Sequence, residues 1–154
     1  MTTIAALRDW LLLGHIAGAM VWFGGVLLLL ALGVRAVSAD RPEPAAELVG
    51  ALRGVGPTVL APAPVLVIAC GVWLAVDEDA FSQLWVQLGL GLFAAAFVVG
   101  AAHQSRAAIA AERAVRRGDH AEAARALTRW AWGMGLITAL LAVATWDMVF
   151  RPGG

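Results

Sequence analysis

The chain has 154 residues, 61% of them hydrophobic and 14% charged, with a mean hydropathy of +0.80. No ordinary soluble domain of this size combines those values, so the solvent for most of its surface is lipid. A formal net charge of zero without a basic stripe excludes nucleic acid as a partner, and a single cysteine, Cys70, excludes an internal disulfide or a paired-cysteine metal or redox motif.

The first apolar run, Trp10 to Val34, is about 25 residues long and at ~1.5 Å per residue exceeds the ~30 Å hydrocarbon core. It predicts a spanning helix over about residues 9–34. Val37-Ser38-Ala39 before Asp40 would suit a signal peptidase, but the run is longer than the ~7 to 15 residues of a signal core and carries His15 and Trp22. A retained helix is therefore expected. Asp40 to Arg53 reads as a loop with Pro42 and Pro44, then a short amphipathic helix stopped by Gly54 and Gly56.

The second helix, about 57–76, opens with Pro57, Pro62 and Pro64, which predicts a kinked or partly unwound start. The third is apolar from Leu84 to Ala102 and continues through an Ala, Arg and Glu-rich stretch to about residue 117, where Glu112 precedes Arg116 by four residues. Gly118 is suited to end it, and Asp119 followed by Glu122 reads as the cap that starts a fourth helix, 120–150, apolar from Trp130 to Phe150. The fold class is all-α, a four-transmembrane-helix bundle in a single domain. Helices three and four extend beyond the membrane as a cytoplasmic hairpin.

Orientation follows from arginine, because the chain contains no lysine. The first connection carries Arg35, Arg41 and Arg53, the third carries Arg106, Arg113, Arg116, Arg117, Arg125 and Arg129, together nine of the eleven. The second connection instead shows Asp77, Glu78 and Asp79. The positive-inside rule then makes the first and third connections cytoplasmic and turns both termini outward. Trp10, Trp73, Trp85 and Trp146 fall at the outer boundary and Trp130 and Trp132 at the inner one, as an aromatic belt requires.

Ionisable side chains at membrane depth are costly, so each is a candidate site. His15 lies in Gly14-His15-Ile16-Ala17-Gly18, where the glycines allow close approach of another helix. It either makes an interhelical hydrogen bond there or ligates haem or copper as a neutral imidazole. Asp147, Met148, Cys70, Trp73 and Gln87 share its outer depth. Met148 with His15 offers axial ligation to haem iron, Met20, Cys70 and Met148 offer soft sulfur to Cu(I), and Asp147 could orient the His15 ring. The plain alternative is core or lipid-facing packing for the sulfur side chains and interfacial solvation for Asp147.

Trp22-Phe23-Gly24-Gly25 sets aromatics beside small residues, which suits tight packing or, between Trp22 and Gly25, a slot for a planar cofactor. His103 is separated from His15 by roughly 20 Å of depth and is expected at the headgroups, and His120 in water at the hairpin turn. No nucleophile with a spaced base, HExxH or phosphate loop is present.

His15, Trp22, Gly24-Gly25, Arg35, the proline-bearing second helix to Gly71 and the ending Asp147-Met148-Val149-Phe150-Arg151-Pro152-Gly153 together resemble an uncharacterised family of predicted bacterial integral membrane proteins. That family is related to the copper-resistance D-type (CopD-like) membrane proteins. The first helix is also similar to that of the HemJ-type protoporphyrinogen oxidases, which bind haem b; there His15 matches a histidine and Arg35 the arginine that follows. The absence of lysine departs from that pattern and removes protoporphyrinogen oxidation from what the resemblance implies.

The expectation is a bacterial inner-membrane protein with a haem b or copper site on its outer half, for electron transfer or metal handling. The alternative is a non-catalytic protein or accessory subunit, acting as a homo-oligomer or in a larger membrane complex.

Overall fold

The structure, a computed structural model, describes residues 2–39, 47, 48, 50–52, 54 and 56–153. Among these there is no strand. The helices are α1 (Thr2–Ser38), α2 (Pro62–Asp77), α3 (Leu84–Val98), α4 (Ser105–Arg117) and α5 (His120–Phe150), with π-helical turns at Gly56–Leu60 and Val99–Gln104. Because the second π turn joins α3 to α4 without a break, four rods result, each long and apolar enough to cross a membrane: Ala6–Ser38, Thr58–Asp77, Leu84–Arg117 and His120–Phe150.

Large apolar side chains point outward along these rods, among them Leu28, Val65, Val98, Trp132 and Val149, each more than half exposed. In water such a surface would aggregate; in hydrocarbon it is the solvated face.

The proline-rich start of the second rod is resolved as a π turn, closed by Ala61 N–H donating to Gly56 C=O at 2.9 Å, after which α2 begins with Pro62 in its first turn. Proline is tolerated there because that N–H lacks a helical acceptor. The expected loop residues Asp40, Arg41, Pro42 and Pro44, and Arg53, lie outside the described residues. The helical residues beyond them bring Leu48 into the core, 1% exposed. At the far side, Gly118 takes the left-handed conformation, φ 69°, that ends α4, and the Asp119 side chain accepts from Glu122 N–H at 3.0 Å. The sequence-predicted hairpin between α4 and α5 is thus present, with Ala107, Ala111 and Ala114 of the one helix and Ala123, Ala126 and Leu127 of the other buried where the two pack.

Glycine decides how closely the rods approach. A Cβ at Gly14 would lie 3.2 Å from Cys70 Sγ and one at Gly18 3.1 Å from Val67 Cγ2, so this stripe of α1 is where α2 packs. On another face of α1, Trp130 of α5 sits against Gly33, where a Cβ would fall 2.6 Å from its ring. α1 therefore lies between α2 and α5, and α3 packs on the other flank of α5. α2 and α3 meet only briefly, around their short connection, where Ala75, Ala80 and Val86 cluster. The bundle is an open fan, α2–α1–α5–α3, parted on the α2–α3 side toward the arginine-rich end.

Candidate functional site

His15 is half-buried between α1 and α2, with Nδ1 2.9 Å from the Val67 carbonyl oxygen. A carbonyl only accepts, so Nδ1 carries the proton and in the neutral ring Nε2 keeps the lone pair. The ring rests on Gly71, where a Cβ would lie 2.9 Å from Cε1. Cys70 is buried at the same interface, against Gly14.

The other predicted residues are held elsewhere. Met148 fills the notch at Gly89 of α3, and Asp147, 1% exposed, turns toward the same glycine. Neither Asp147 carboxylate oxygen has a hydrogen-bond partner, and the His15 ring is oriented by Val67 instead. Met20 is 70% exposed on the lipid face. Trp22 stacks edge-on against Phe93 at 5.5 Å between centroids, while the Gly25 notch takes the Leu60 side chain from the first π turn. Among the described residues, no three His, Cys, Asp or Glu side chains gather as a metal-holding group.

The bundle's open side holds a cleft of about 400 Å³ at the arginine-rich end. α1 contributes Trp22, Val26 and Leu29; the start of the second rod Gly56, Leu60, Ala61 and Pro64; the third rod Ala96, Phe97, Gly100, Ala101, Gln104, Ser105 and Ala108; and α5 Trp130, Met134 and Ile137, with Leu52 at the rim. Trp22 and Phe97, bridged by Phe93, close it toward the other end. None of these lining side chains is ionisable. The volume is that of a small-molecule pocket, ~300 to 1,000 Å³, and the wall suits an apolar guest rather than acid–base chemistry.

Both π turns border this cleft. Each contains an extra residue per turn, and such insertions often mark working sites in helices. In the second, the extra residue lets consecutive side chains reach α5 together: His103 Nε2 lies 3.2 Å from the Arg129 carbonyl oxygen and Gln104 Nε2 donates to Trp130 C=O at 3.0 Å. Gly133 makes room for both, and Gln104 Oε1, buried above it, has no partner. Reading the sequence did not single out Gln104; its signal was an amide at the end of an apolar run, a costly residue at that depth.

A membrane-family model covers almost the whole of this architecture. The chain belongs to the DUF2269 family of predicted integral membrane proteins. The match runs over residues 9–152, which takes in the first rod from residue 9 onward and the other three entirely. No curated protein and no solved structure matches the chain.

Proposed function

We propose that this DUF2269 protein is a non-catalytic binding protein of the bacterial inner membrane, whose cleft takes up an apolar molecule from the bilayer. The observation that carries this reading is the open fan: α2 and α3 part where the 400 Å³ cleft lies, so a guest can enter sideways from hydrocarbon without crossing water. In this reading the arginine-rich connections face the cytoplasm and both termini face outward, which places the cleft in the inner half of the membrane.

The test is photolabelling of the purified protein in lipid nanodiscs with a diazirine-bearing fatty acid. Adducts are expected to concentrate on Ala101, Gln104 and Pro64 and to disappear there in Ala101→Trp. Labelling spread evenly over Leu28 and Val149 on the outer faces would sink the reading. Co-purification of another chain cross-linked through Ala101 would replace it with the accessory-subunit reading.

A metal or haem site at His15 is a second reading, favoured by one observation. Donation from Nδ1–H to a backbone carbonyl is the arrangement that orients a metal-ligating imidazole and leaves Nε2 to bind. His15, with the nearby Cys70 thiol, would supply the donors for a copper ion. For haem the donor set is the imidazole alone, because Met148 is engaged at Gly89. Absorption spectra of oxidised and dithionite-reduced protein, with metal analysis of wild type and His15→Ala, test it. A Soret band or stoichiometric copper lost in the variant supports the site; colourless, metal-free protein from replete cells rejects it.

A further inference from the structure

Beside the cleft there is a second hollow, of about 440 Å³, where the third rod leaves the apolar region and runs along α5. Its lining is Ala102, His103, Arg106, Ala107, Ala110 and Arg129. None of these lines the cleft. At ~100° per residue, Arg106 and Ala110 lie on a different face of the rod from Gln104 and Ala108. We propose that this hollow binds the phosphate of an anionic phospholipid headgroup, independently of whatever the cleft holds.

Three features carry the proposal. First, two arginines on different helices, Arg106 and Arg129, line one cavity whose lining contains no carboxylate. Arg129 meets Glu122 only at 3.4 Å, and that carboxylate is held more closely by Arg125 at 3.0 Å, so Arg129 keeps donors for an anion. Second, the geometry is built: the bond between His103 Nε2 and Arg129 C=O fixes the third rod and α5 across the hollow. Third, the other half of the wall is alanine, an apolar floor that a hydrated free phosphate would not seek but a glycerol backbone and upper acyl chain would cover. Trp132 and Ile109, 78% and 48% exposed nearby, mark the depth as that of a membrane boundary. Basic pockets between helices on the cytoplasmic side are suited to anionic headgroups.

The experiment is native mass spectrometry of the detergent-purified protein offered equimolar phosphatidylglycerol and phosphatidylcholine with identical acyl chains. Phosphatidylglycerol is expected to be retained preferentially. The double variant R106Q/R129Q should reduce that preference about fivefold per arginine removed. R106K/R129K should keep most of it, and R113Q/R117Q, which alters exposed arginines outside the hollow, should leave it unchanged. An unchanged preference in R106Q/R129Q, or an equal loss in R113Q/R117Q, would overturn the proposal, the latter in favour of a diffuse positive surface. Displacement of bound phosphatidylglycerol by millimolar inorganic phosphate would overturn it in favour of a free-anion site.

Discussion

Several glycines here are sockets for particular side chains of a neighbouring helix. His15 needs Gly71, and a methyl group there would drive the ring away from Val67 C=O. Gly71→Ala is expected to destabilise the bundle by ~1 to 3 kcal/mol, as overpacking does, read as a lower thermal midpoint in detergent. Gly24→Ala is the matched control: nothing lies within 4 Å of the added Cβ, so the midpoint should hold or rise. Asp147 tests the opposite situation, a buried carboxylate without a partner. Asp147→Asn removes an ionisable group and breaks no side-chain hydrogen bond in this chain, so stability should be unchanged or higher. A clear fall would mean that something outside the chain pairs with it. The contact at His15 was legible from Gly14 and Gly18, one of the two readings the sequence left open. The burial of Asp147 was not, because a carboxylate near a helix end and an arginine reads as solvated until Gly89 is seen opposite.

At the scale of elements, the π turn Val99–Gln104 sets the phase between the apolar and hairpin halves of the third rod. Inserting one alanine after Ala101, a further residue that the π turn does not absorb, would rotate everything after it by about 100°. Ala107, Ala111 and Ala114 would leave α5, and His103 and Gln104 could no longer both reach it. The insertion is expected to open the hairpin, seen as rapid cleavage at its arginines in limited trypsin digestion that leaves the wild type intact. The helices themselves, the cap at Asp119, the stop at Gly118 and the disturbed start near Pro57 and Pro62 were all readable, since each depends on residues within one or two turns. The π turn at Val99–Gln104 was not readable, since its stretch contains no proline and its stability comes from carbonyls of a helix about 26 residues away.

For the whole molecule, the arginine distribution makes a topological prediction. In a Cys70→Ala background, Ser82→Cys should be labelled by a membrane-impermeant maleimide in intact cells, whereas Ala121→Cys should be labelled only after permeabilisation. The reverse pattern would invert the molecule and move the cleft to the outer half. Either way the ion pair between Arg8 and Glu78 and the Arg151 guanidinium 4.8 Å over the Trp85 ring tie one end of the fan together, while its other end parts around the cleft.

The sequence by itself determined the solvent, the number of spanning helices and the hairpin. These follow from apolar run length, from the need to satisfy every backbone group inside hydrocarbon, and from local caps. Only the tertiary structure decided which helices touch. Four apolar rods have no hydrophobic preference among themselves in lipid, so the order of packing comes from small residues meeting large ones: Gly18 against Val67, Gly33 against Trp130, Gly89 against Met148. That pairing drew α2 onto α1 and α3 onto α5, and the space left between α2 and α3 is the cleft.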